Sequence, residues 1–389
     1  MPVLNRIAGF ADEMAEWRQW LHRTPELCFD LPETAAFVAG KLRAFNVDEL
    51  HEGIAQTGMV AIINGQEAGP TIGLRADMDA LPIAEESGLP YASQKSGQMH
   101  ACGHDGHTAM LLGAARYLAE TRRFKGRVAL IFQPAEELIG GARVMVEEGI
   151  MERFDINQVY AIHTTPELPL GNFATAPGPV MASSDDVKIR IKGVGGHAAK
   201  PEETKDPLTA AVAMVQAFQT IVSRNRAGCE DMILSVTQLQ ASSEASNIIG
   251  DSATIGMTVR TFTEAARDMA ETRVNSIANG HAAAFEVDVD VDYERAYPAT
   301  VNHAENARFA AAVASEVVGE DQVNDAAPPA PWSEDFSFML QARPGAYLEL
   351  GQGIGPGLHT STFNFNDEAA PIGASFFARL VEKALPLEH

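Results

Sequence analysis

The sequence of 389 residues contains few cysteines and few basic residues for its length. Three cysteines, Cys28, Cys102 and Cys229, are too few for a disulfide framework, so we expect a reducing compartment and assign the protein to the cytoplasm. Its 29 basic residues stand against 52 acidic residues, which gives a formal net charge of −23. Because nucleic acid and anionic membranes are bound by basic patches, this charge argues against both as partners.

Long apolar runs and targeting signals are also missing. No apolar stretch reaches the roughly 18 residues that a transmembrane helix needs. The N-terminus begins Met1-Pro-Val-Leu-Asn-Arg6 and lacks the basic region and the continuous apolar core of a signal peptide. The C-terminal Leu387-Glu388-His389 resembles the start of a purification tag and is left out of the domain assignment. We therefore expect a soluble protein.

The sequence does contain enough apolar material for a large core, since 46% of its residues are hydrophobic. The chain exceeds the length at which one core usually stops growing, which predicts two domains. In the first part, short apolar strands alternate with polar loops and helices. Residues 128–132 and 159–162 are continuously apolar, which is typical of buried strands in a parallel sheet. Residues 60–63 and 71–75 are predicted to form a hairpin around the turn residues 64–70.

The hydrophobic pattern then changes. Residues 186–192 and 286–292 alternate apolar and polar side chains, as in a sheet with one face in water. With the helices and strands between them they make the order β-α-β-β-α-β, a ferredoxin-like α+β unit. We predict an α/β catalytic domain in residues 1–182 and 295–386, with a mixed, mostly parallel sheet and flanking helices, and an inserted domain in residues 183–294.

Residues 100–107 read His-Ala-Cys-Gly-His-Asp-Gly-His and precede an apolar helical run. In a protein core such a cluster would be costly, because each unsatisfied polar group costs about 1–3 kcal/mol. The pattern therefore favours a loop that leads into a helix and points its side chains at a cation. A solvated, histidine-rich loop is the alternative interpretation.

Further candidate ligands stand at the predicted ends of strands or in loops. Together with two residues of the cluster they form a set of five: Cys102, His104, Glu137, His163 and His359. Five ligands exceed the needs of one tetrahedral site and suit two cations about 3.5–4 Å apart. Thiolate and imidazole ligands favour transition metals over magnesium or calcium, so we expect two divalent ions, manganese or zinc, with nickel or cobalt also compatible. Taken singly, each histidine also fits an ordinary core or surface histidine.

Glu136 and Glu137 suggest a division of labour between adjacent carboxylates. One can bind a metal while its neighbour accepts a proton from metal-bound water, whose pKa falls towards about 7 on coordination. The alternative is that both glutamates stabilise the dipole of a helix that begins at this point.

Six segments, spread over nearly the whole chain, together resemble the dinuclear metallo-amidohydrolases, which include hippurate hydrolase, the indole-acetyl-amino-acid hydrolases and the N-acyl-amino-acid deacylases. In chain order the segments are His22-Arg-Thr-Pro-Glu-Leu27, Arg75-Ala-Asp-Met-Asp-Ala-Leu-Pro82, residues 100–107, Gln133-Pro-Ala-Glu-Glu137, Gly195-Gly-His-Ala-Ala-Lys-Pro201 and Leu358-His-Thr-Ser-Thr362. One departure is local: Leu138-Ile139 follow the paired glutamates, where relatives usually carry small residues.

The resemblance implies roles for the candidate residues of the catalytic domain. It identifies the metal ligands as Cys102, His104, Glu137, His163 and His359. It makes Glu136 the general base, and it assigns Asp77 to the carboxylate that orients a ligand or the base.

For the inserted domain, the resemblance implies a homodimer in which each chain lends residues to the active site of its partner. His197 corresponds to the histidine that stabilises the oxyanion, a contribution of about 2.7–4 kcal/mol per donor. Asn247 and Arg260 correspond to residues that hold the substrate, and Arg260 suits bidentate binding of a free carboxylate. Taken alone, His197 also fits an ordinary turn histidine and Arg260 a surface arginine.

These features predict an amidohydrolase that cleaves the amide bond of small N-acyl amino acids, of the hippurate or auxin-conjugate type, to a carboxylic acid and a free amino acid. A dipeptidase, a carboxypeptidase or an N-acetyl-diamino-acid deacetylase of the same family is the first alternative. A binding protein that kept the fold but lost catalysis is the second, which the intact ligand set and Glu136 disfavour. The sequence leaves open the acyl group, the amino acid, the native metal and any assembly beyond a dimer.

Overall fold

The structure is a computed structural model that describes residues 3–387, except for the side chain of Ile139. Glu388 and His389, which belong to the predicted tag remnant, lie outside the described residues. The α-helices are α1 (Asn5–Ala8), α2 (Ala11–Arg23), α3 (Pro32–Ala44), α4 (His104–Thr121), α5 (Glu136–Ile139), α6 (Gly141–Glu147), α7 (Ile150–Arg153), α8 (Pro207–Thr220), α9 (Glu264–Phe285), α10 (Ala304–Val318), α11 (Phe336–Ala342) and α12 (Ala370–Ala384). Among these described helices, none combines the length and the apolar character that crossing a membrane requires. The β-strands are β1 (Glu49–Ile54), β2 (Gly58–Asn64), β3 (Glu67–Asp77), β4 (Lys125–Gln133), β5 (Ile156–Thr165), β6 (Phe173–Ala174), β7 (Gly178–Met181), β8 (Ser184–Lys192), β9 (Gly196–His197), β10 (Met232–Ala241), β11 (Ile248–Ile249), β12 (Ser252–Thr261), β13 (Asp288–Tyr297), β14 (Thr300–Asn302), β15 (Val323–Asn324) and β16 (Gly345–Gly351).

The described chain forms two compact units. The first unit comprises the described residues up to Val180, together with Val301–Pro328 and the residues from Asp335 onward. The second unit comprises Met181–Thr300 and Pro329–Glu334. The second unit thus extends beyond the insertion expected at 183–294, because β13 continues past the alternating stretch and a short later segment joins it.

The first unit is built on a mixed sheet in which eight of the described strands have the order β1-β2-β4-β3-β5-β16-β6-β15. Its centre is parallel: β3 pairs with β4 and with β5, and β5 pairs with β16. Strands β2, β4 and β5 are largely buried, as expected for strands covered on both faces. Helices α2, α4, α10 and α12 contribute side chains to the same core. The prediction of a mostly parallel sheet with flanking helices is confirmed.

The predicted hairpin of β2 and β3 is wrong. Strand β4 lies between them, antiparallel to β2 and parallel to β3. The connection between β2 and β3 crosses the start of β4, where Gly65 and Gln66 donate their backbone N–H groups to the carbonyls of Gly126 and Phe124. Residues 58–63 of β2 and the second half of β3 are buried, so each is stabilised by a central place in the sheet, whereas an isolated hairpin would leave them half exposed.

The second unit contains an antiparallel sheet with the order β10-β12-β8-β13 and the helices α8 and α9. Alternate side chains of these strands are buried against the two helices, as Ile189 and Ile255 are against Met214 and Val274. The N-terminus of α8 is capped by Asp206, whose carboxylate accepts hydrogen bonds from the first turn. The chain order β8-α8-β10-β12-α9-β13 is the one that the alternating pattern predicts.

Candidate metal and catalytic site

The candidate site lies where the central parallel strands of the first unit end. Strand β3 ends at Asp77, β4 ends just before Glu136 and Glu137, and His163 lies near the end of β5. The carboxyl ends of parallel strands share one edge of the sheet, and ligand sites form in the loops beyond that edge. The loop from β3 to α4 and the first turn of α4 carry residues 100–107 to the same edge.

The five predicted ligands come together at this edge. Cys102 Sγ lies 3.3 Å from His163 Nε2. Glu137 Oε1 lies 3.8 Å from His104 Nε2 and 3.4 Å from His359 Nε2. The ligand atoms of Cys102, His104 and His163 lie within 4.8 Å of one another, and so do those of Cys102, Glu137 and His359. Two neighbouring groups that share Cys102 match the expectation of two adjacent cations.

Local hydrogen bonds orient two of the imidazole rings towards this centre. His104 Nδ1 lies 2.8 Å from the carbonyl oxygen of Asp79, and His163 Nδ1 lies 2.7 Å from that of Thr164. Because a carbonyl oxygen only accepts, each Nδ1 carries the proton and donates it. The lone pair is then on Nε2, the nitrogen that faces the other ligands, as is usual in metal-bound histidines.

Two buried atoms of this centre have no hydrogen-bond partner among the described residues, namely His104 Nε2 and Glu137 Oε1. Leaving a buried acceptor unsatisfied costs about 1–3 kcal/mol. A cation bound between the two atoms would satisfy both. Since thiolate, imidazole and carboxylate groups together suit a transition metal, the residues present fit the predicted ions.

Cys102 lies in a surrounding that favours its neutral form. The residue is 7% exposed, and burial raises the pKa of its thiol. The carboxylates of Glu137 and Glu136 raise that pKa further. A thiolate at this position therefore needs a cation beside it, since metal binding is coupled to loss of the thiol proton.

His359 reaches the centre from the C-terminal part of the chain. Its backbone is left-handed, with φ of 61°, which is uncommon for a residue that carries a Cβ. The backbone N–H of His359 donates to the carbonyl of Ala101 at 2.7 Å, so this turn is attached directly beside Cys102. The His359 side chain is 54% exposed, which leaves this side of the centre open.

Asp77 lies at the edge of the centre, with Oδ2 at 3.7 Å from His104 Nε2. It accepts hydrogen bonds from His107 Nδ1 at 2.6 Å and from Arg75 Nη1 at 2.7 Å. Burial raises the pKa of Asp77, but the charges of Arg75 and the neighbouring histidines outweigh it and hold that pKa well below its usual range. Asp77 is therefore a charged, buried acceptor, and its role in orienting a ligand or the base stays a prediction.

Asp79, which the sequence motifs do not single out, contacts the backbone of Glu136 and Glu137 directly. Its Oδ1 accepts from the backbone N–H of Glu136 at 2.9 Å and its Oδ2 from that of Glu137 at 3.2 Å. Its carbonyl oxygen also orients His104. His107, which holds Asp77, is not singled out either. Both residues stand inside motifs already quoted, but spacing alone does not tell which of two aspartates faces the glutamates.

The segment that begins at His22 provides buried charges next to His104. His22 Nδ1 lies 2.8 Å from Asp105 Oδ2, and His22 Nε2 lies 3.3 Å from Glu85 Oε1. Arg18 adds a second cation 3.7 Å from the Asp105 carboxylate. Because Asp105 directly follows His104, these contacts hold the start of α4 in place.

Replacing His22 by Gln is expected to cost stability in a pH-dependent way. Burial lowers the pKa of His22, but its hydrogen bonds to Asp105 and Glu85 outweigh burial and raise that pKa from 6.5 to about 9. A raised pKa stabilises the folded protein fully below pH 6.5 and progressively less as the pH rises to about 9. The stability advantage of the wild type over His22→Gln, measured by urea unfolding, should therefore shrink across this window. A difference that stays constant or grows with pH would contradict this assignment.

The predicted residues of the inserted domain lie in the second unit. His197 in β9 pairs with Ile248 in β11, and the carbonyl of Asn247 accepts from the backbone N–H of Ala198 at 3.0 Å. The backbone N–H of Ala199 donates to His197 Nδ1 at 3.0 Å. Nδ1 is thus the acceptor, and the ring proton is on Nε2, so the exposed His197 is a hydrogen-bond donor.

Arg260 lies on β12 of the second unit and is not part of the β9–β11 pair. Its Nη1 donates to the hydroxyl of Thr258 at 2.6 Å and to the carbonyl of Val259 at 3.3 Å. Among the described residues, no carboxylate lies within ion-pair distance of its guanidinium group.

Comparisons with known proteins show the family to which the chain is similar. The model of peptidase family M20/M25/M40 matches residues 73–383. Hippurate hydrolase from Campylobacter jejuni is 40% identical over 385 residues, covering 99% of this chain and 100% of that protein. N-acetylcysteine deacetylase from Bacillus subtilis is 36% identical, covering 96% of this chain and 97% of that protein. The crystal structure of the Bacillus subtilis YXEP protein, described as a dinuclear metal binding peptidase from the M20 family, matches with a TM-score of 0.85 and 32% identity over 97% of this chain and 99% of that chain.

Proposed function

Because the chain belongs to peptidase family M20/M25/M40, we propose that it is a metal-dependent amidohydrolase that cleaves N-acyl amino acids to a carboxylic acid and a free amino acid. The observation that carries this proposal is the convergence of the five metal-ligating side chains beside a second carboxylate, Glu136. The substrate class is supported by the similarity to a hippurate hydrolase and to an N-acetylcysteine deacetylase.

Two divalent transition-metal ions, manganese or zinc, are the cofactors we propose. The residues that would hold them are Cys102, His104, Glu137, His163 and His359. Such ions polarise a carbonyl oxygen and lower the pKa of water towards about 7. The unsatisfied His104 Nε2 and Glu137 Oε1 support this assignment, because the two buried atoms lie 3.8 Å apart and a cation between them would satisfy both.

Glu136 is proposed as the general base. A carboxylate oxygen of Glu136 lies within 4.8 Å of a ring nitrogen of His104 and of a carboxylate oxygen of Glu137. Its backbone N–H donates to Asp79, which fixes the backbone position from which the side chain extends. In this position Glu136 takes the proton from the attacking water and later donates it to the leaving amine, after which the carboxylate is regenerated.

The second unit is proposed to bind the substrate. His197 Nε2–H donates to the carbonyl oxygen of the substrate as negative charge develops on it. Arg260 binds the free α-carboxylate of the substrate in a bidentate contact. Asn247 lies beside His197 and supplies an amide for the same substrate. Following the family resemblance, we propose a cytoplasmic homodimer in which these residues act on the metal centre of the partner chain.

His197→Ala should lower kcat about 10²- to 10³-fold, because one preorganised donor to the oxyanion is lost, and it should change KM little. Steady-state kinetics on one N-acyl amino acid measure both constants. His281→Ala, at a histidine of α9 in the same unit, is the control for loss of an imidazole. A kcat within threefold of wild type would remove His197 from the mechanism.

Mixing two inactive variants tests the dimer. A heterodimer of His197→Ala and Glu136→Gln chains contains one site with both residues intact if His197 acts on the partner's centre. Random reassortment would then recover about a quarter of the wild-type activity. If His197 acts within its own chain, every site lacks one of the two residues and the mixture stays inactive.

The proposed activity is tested on metal-stripped protein supplied with manganese or zinc. The substrate panel contains N-acetyl, N-benzoyl and N-indoleacetyl amino acids and several dipeptides, with release of the free amino acid as the readout. Metal-dependent cleavage of the acylated substrates is the expected result. Cleavage of dipeptides alone would make the protein a peptidase of the same family and overturn the substrate assignment.

A further inference from the structure

The segment that carries Glu136 and Glu137 has a demanding backbone. Ala135 is left-handed, with φ of 56°, although it has a Cβ. At the other end of the segment a Cβ on Gly141 would lie 1.7 Å from the carbonyl oxygen of Pro134, so the chain comes very close to itself. A left-handed residue other than glycine persists only where its surroundings hold it. The contacts that keep residues 133–142 in this conformation therefore help to position the site.

Asp335 contacts both ends of this segment. Each of its carboxylate oxygens lies 2.8 Å from Nε2 of Gln133, the last residue of β4. Its Oδ2 also accepts from the backbone N–H of Ala142, in the first turn of α6, at 2.8 Å. Asp335 is fully buried. One buried carboxylate thus joins the residue where the segment begins to the helix in which it ends.

Arg75 supplies the positive charge that this buried carboxylate needs. Its Nη2 lies 3.0 Å from Asp335 Oδ1, and its Nη1 lies 2.7 Å from Asp77 Oδ2. Its Nε donates to Oε1 of Gln133 at 2.8 Å. The Gln133 amide is therefore oriented by Arg75 on its oxygen and by Asp335 on its nitrogen. A buried carboxylate that is paired and hydrogen-bonded in this way has one favourable geometry.

We propose that Asp335 is a positioning residue that acts on Glu136 and Glu137 through the 133–142 segment. Asp335 holds the ends of the segment, and Asp79 holds its middle through the backbone N–H groups of both glutamates. Carboxylate oxygens of Asp335 and Glu136 lie within 4.8 Å of each other, so Asp335 positions Glu136 over a short distance. This inference rests on the proposed function, because it takes Glu136 to be the base.

Asp335→Asn keeps the size of the side chain but turns one acceptor into a donor that faces Gln133 Nε2 or the N–H of Ala142. We expect kcat to fall about 10- to 100-fold, as when the partner of a catalytic group is lost, with KM and the number of bound metal ions unchanged. The matched control is Asp48→Asn. Asp48 also accepts from an arginine, Arg122, and from a backbone N–H, that of Asn64, but outside the segment.

A double variant separates positioning from stability. In Gln133→Glu with Asp335→Asn the carboxylate and the amide exchange places. The new carboxylate accepts from Arg75 Nε and from the new amide nitrogen, and the new amide oxygen accepts from Ala142, so only Arg75 Nη2 loses its acceptor on residue 335. The double variant should regain part of the lost kcat, whereas Gln133→Glu alone sets two carboxylates against each other and should stay impaired.

Two results would overturn the proposal: wild-type kcat in Asp335→Asn, with or without a lowered melting temperature, or a double variant that regains the melting temperature but none of the lost kcat. If Asp335→Asn does not fold, the double variant decides alone. Glu136→Gln distinguishes a failure of the proposed function. If Glu136→Gln is active, Glu136 is not the base, and the inference about Asp335 fails with that assignment. If Glu136→Gln is inactive but Asp335→Asn is fully active, only the inference about Asp335 is rejected.

Discussion

Glu136→Gln is expected to lower kcat roughly 10²- to 10⁴-fold, the range for loss of a general base, while the protein keeps its full complement of metal ions. The amide has the same shape as the carboxylate but cannot take the proton from water. Glu136 is held at its backbone by Asp79, so the substitution leaves the segment in place. Steady-state kinetics and metal analysis of the same preparation measure the two quantities side by side.

The control for this substitution is Glu147→Gln, at an exposed glutamate of the nearby helix α6. It removes the same charge from the same region without touching the centre. A Glu136→Gln variant that keeps more than a tenth of the wild-type kcat would sink the assignment of Glu136 as the base. If the variant also loses metal, Glu136 would be a metal ligand instead.

Glu137→Gln should lower the metal content of the protein, whereas Glu136→Gln should leave it unchanged, although the two glutamates are adjacent. Glu137 Oε1 is unsatisfied within the described structure and lies within 4 Å of Nε2 of both His104 and His359. An amide there is a neutral, weaker donor to a cation, so we expect metal content to fall below two ions per chain. Activity should fall at least as far as in Glu136→Gln and should recover in part when excess manganese or zinc is added.

The pair of variants is informative because each serves as the control for the other. Both remove one negative charge from the same turn. Only the division of labour between base and ligand predicts loss of kcat with metal retained in one and loss of metal in the other. Equal metal content and equal metal affinity in Glu137→Gln and the wild type would exclude Glu137 as a ligand.

Much of the site is visible in the sequence because its chemistry is concentrated in short motifs. The cluster at 100–107 and the paired glutamates consist of residue types that have little use elsewhere in a fold, and together with four other segments they predict the family, which the family model confirms. The alternation of apolar strands with polar loops predicts the sheet, because a parallel sheet covered on both faces requires strands that are apolar on both faces.

The errors and omissions come from contacts that no local pattern encodes. Strands β2 and β3 are close in sequence and were expected to pair, but β4, which follows much later, separates them. Asp335 is about two hundred residues from Gln133, and nothing in the residues around it indicates that it contacts the segment of the glutamates. Asp77 and Asp79 are indistinguishable by type and spacing, yet only Asp79 holds the backbone of Glu136.

Which atoms could bind metal or move a proton can therefore be read from the residues alone, because ligand type and acid–base character belong to single residues and survive in any conformation. How those atoms are oriented depends on the folded chain. The proton of His104 is placed on Nδ1 by the carbonyl of Asp79, at the far end of the loop that connects β3 to α4, and the turn of Glu136 and Glu137 is held by two distant aspartates. Orientation depends on hydrogen bonds between segments far apart in the chain, and these form only when the sheet brings the ends of its strands to one edge.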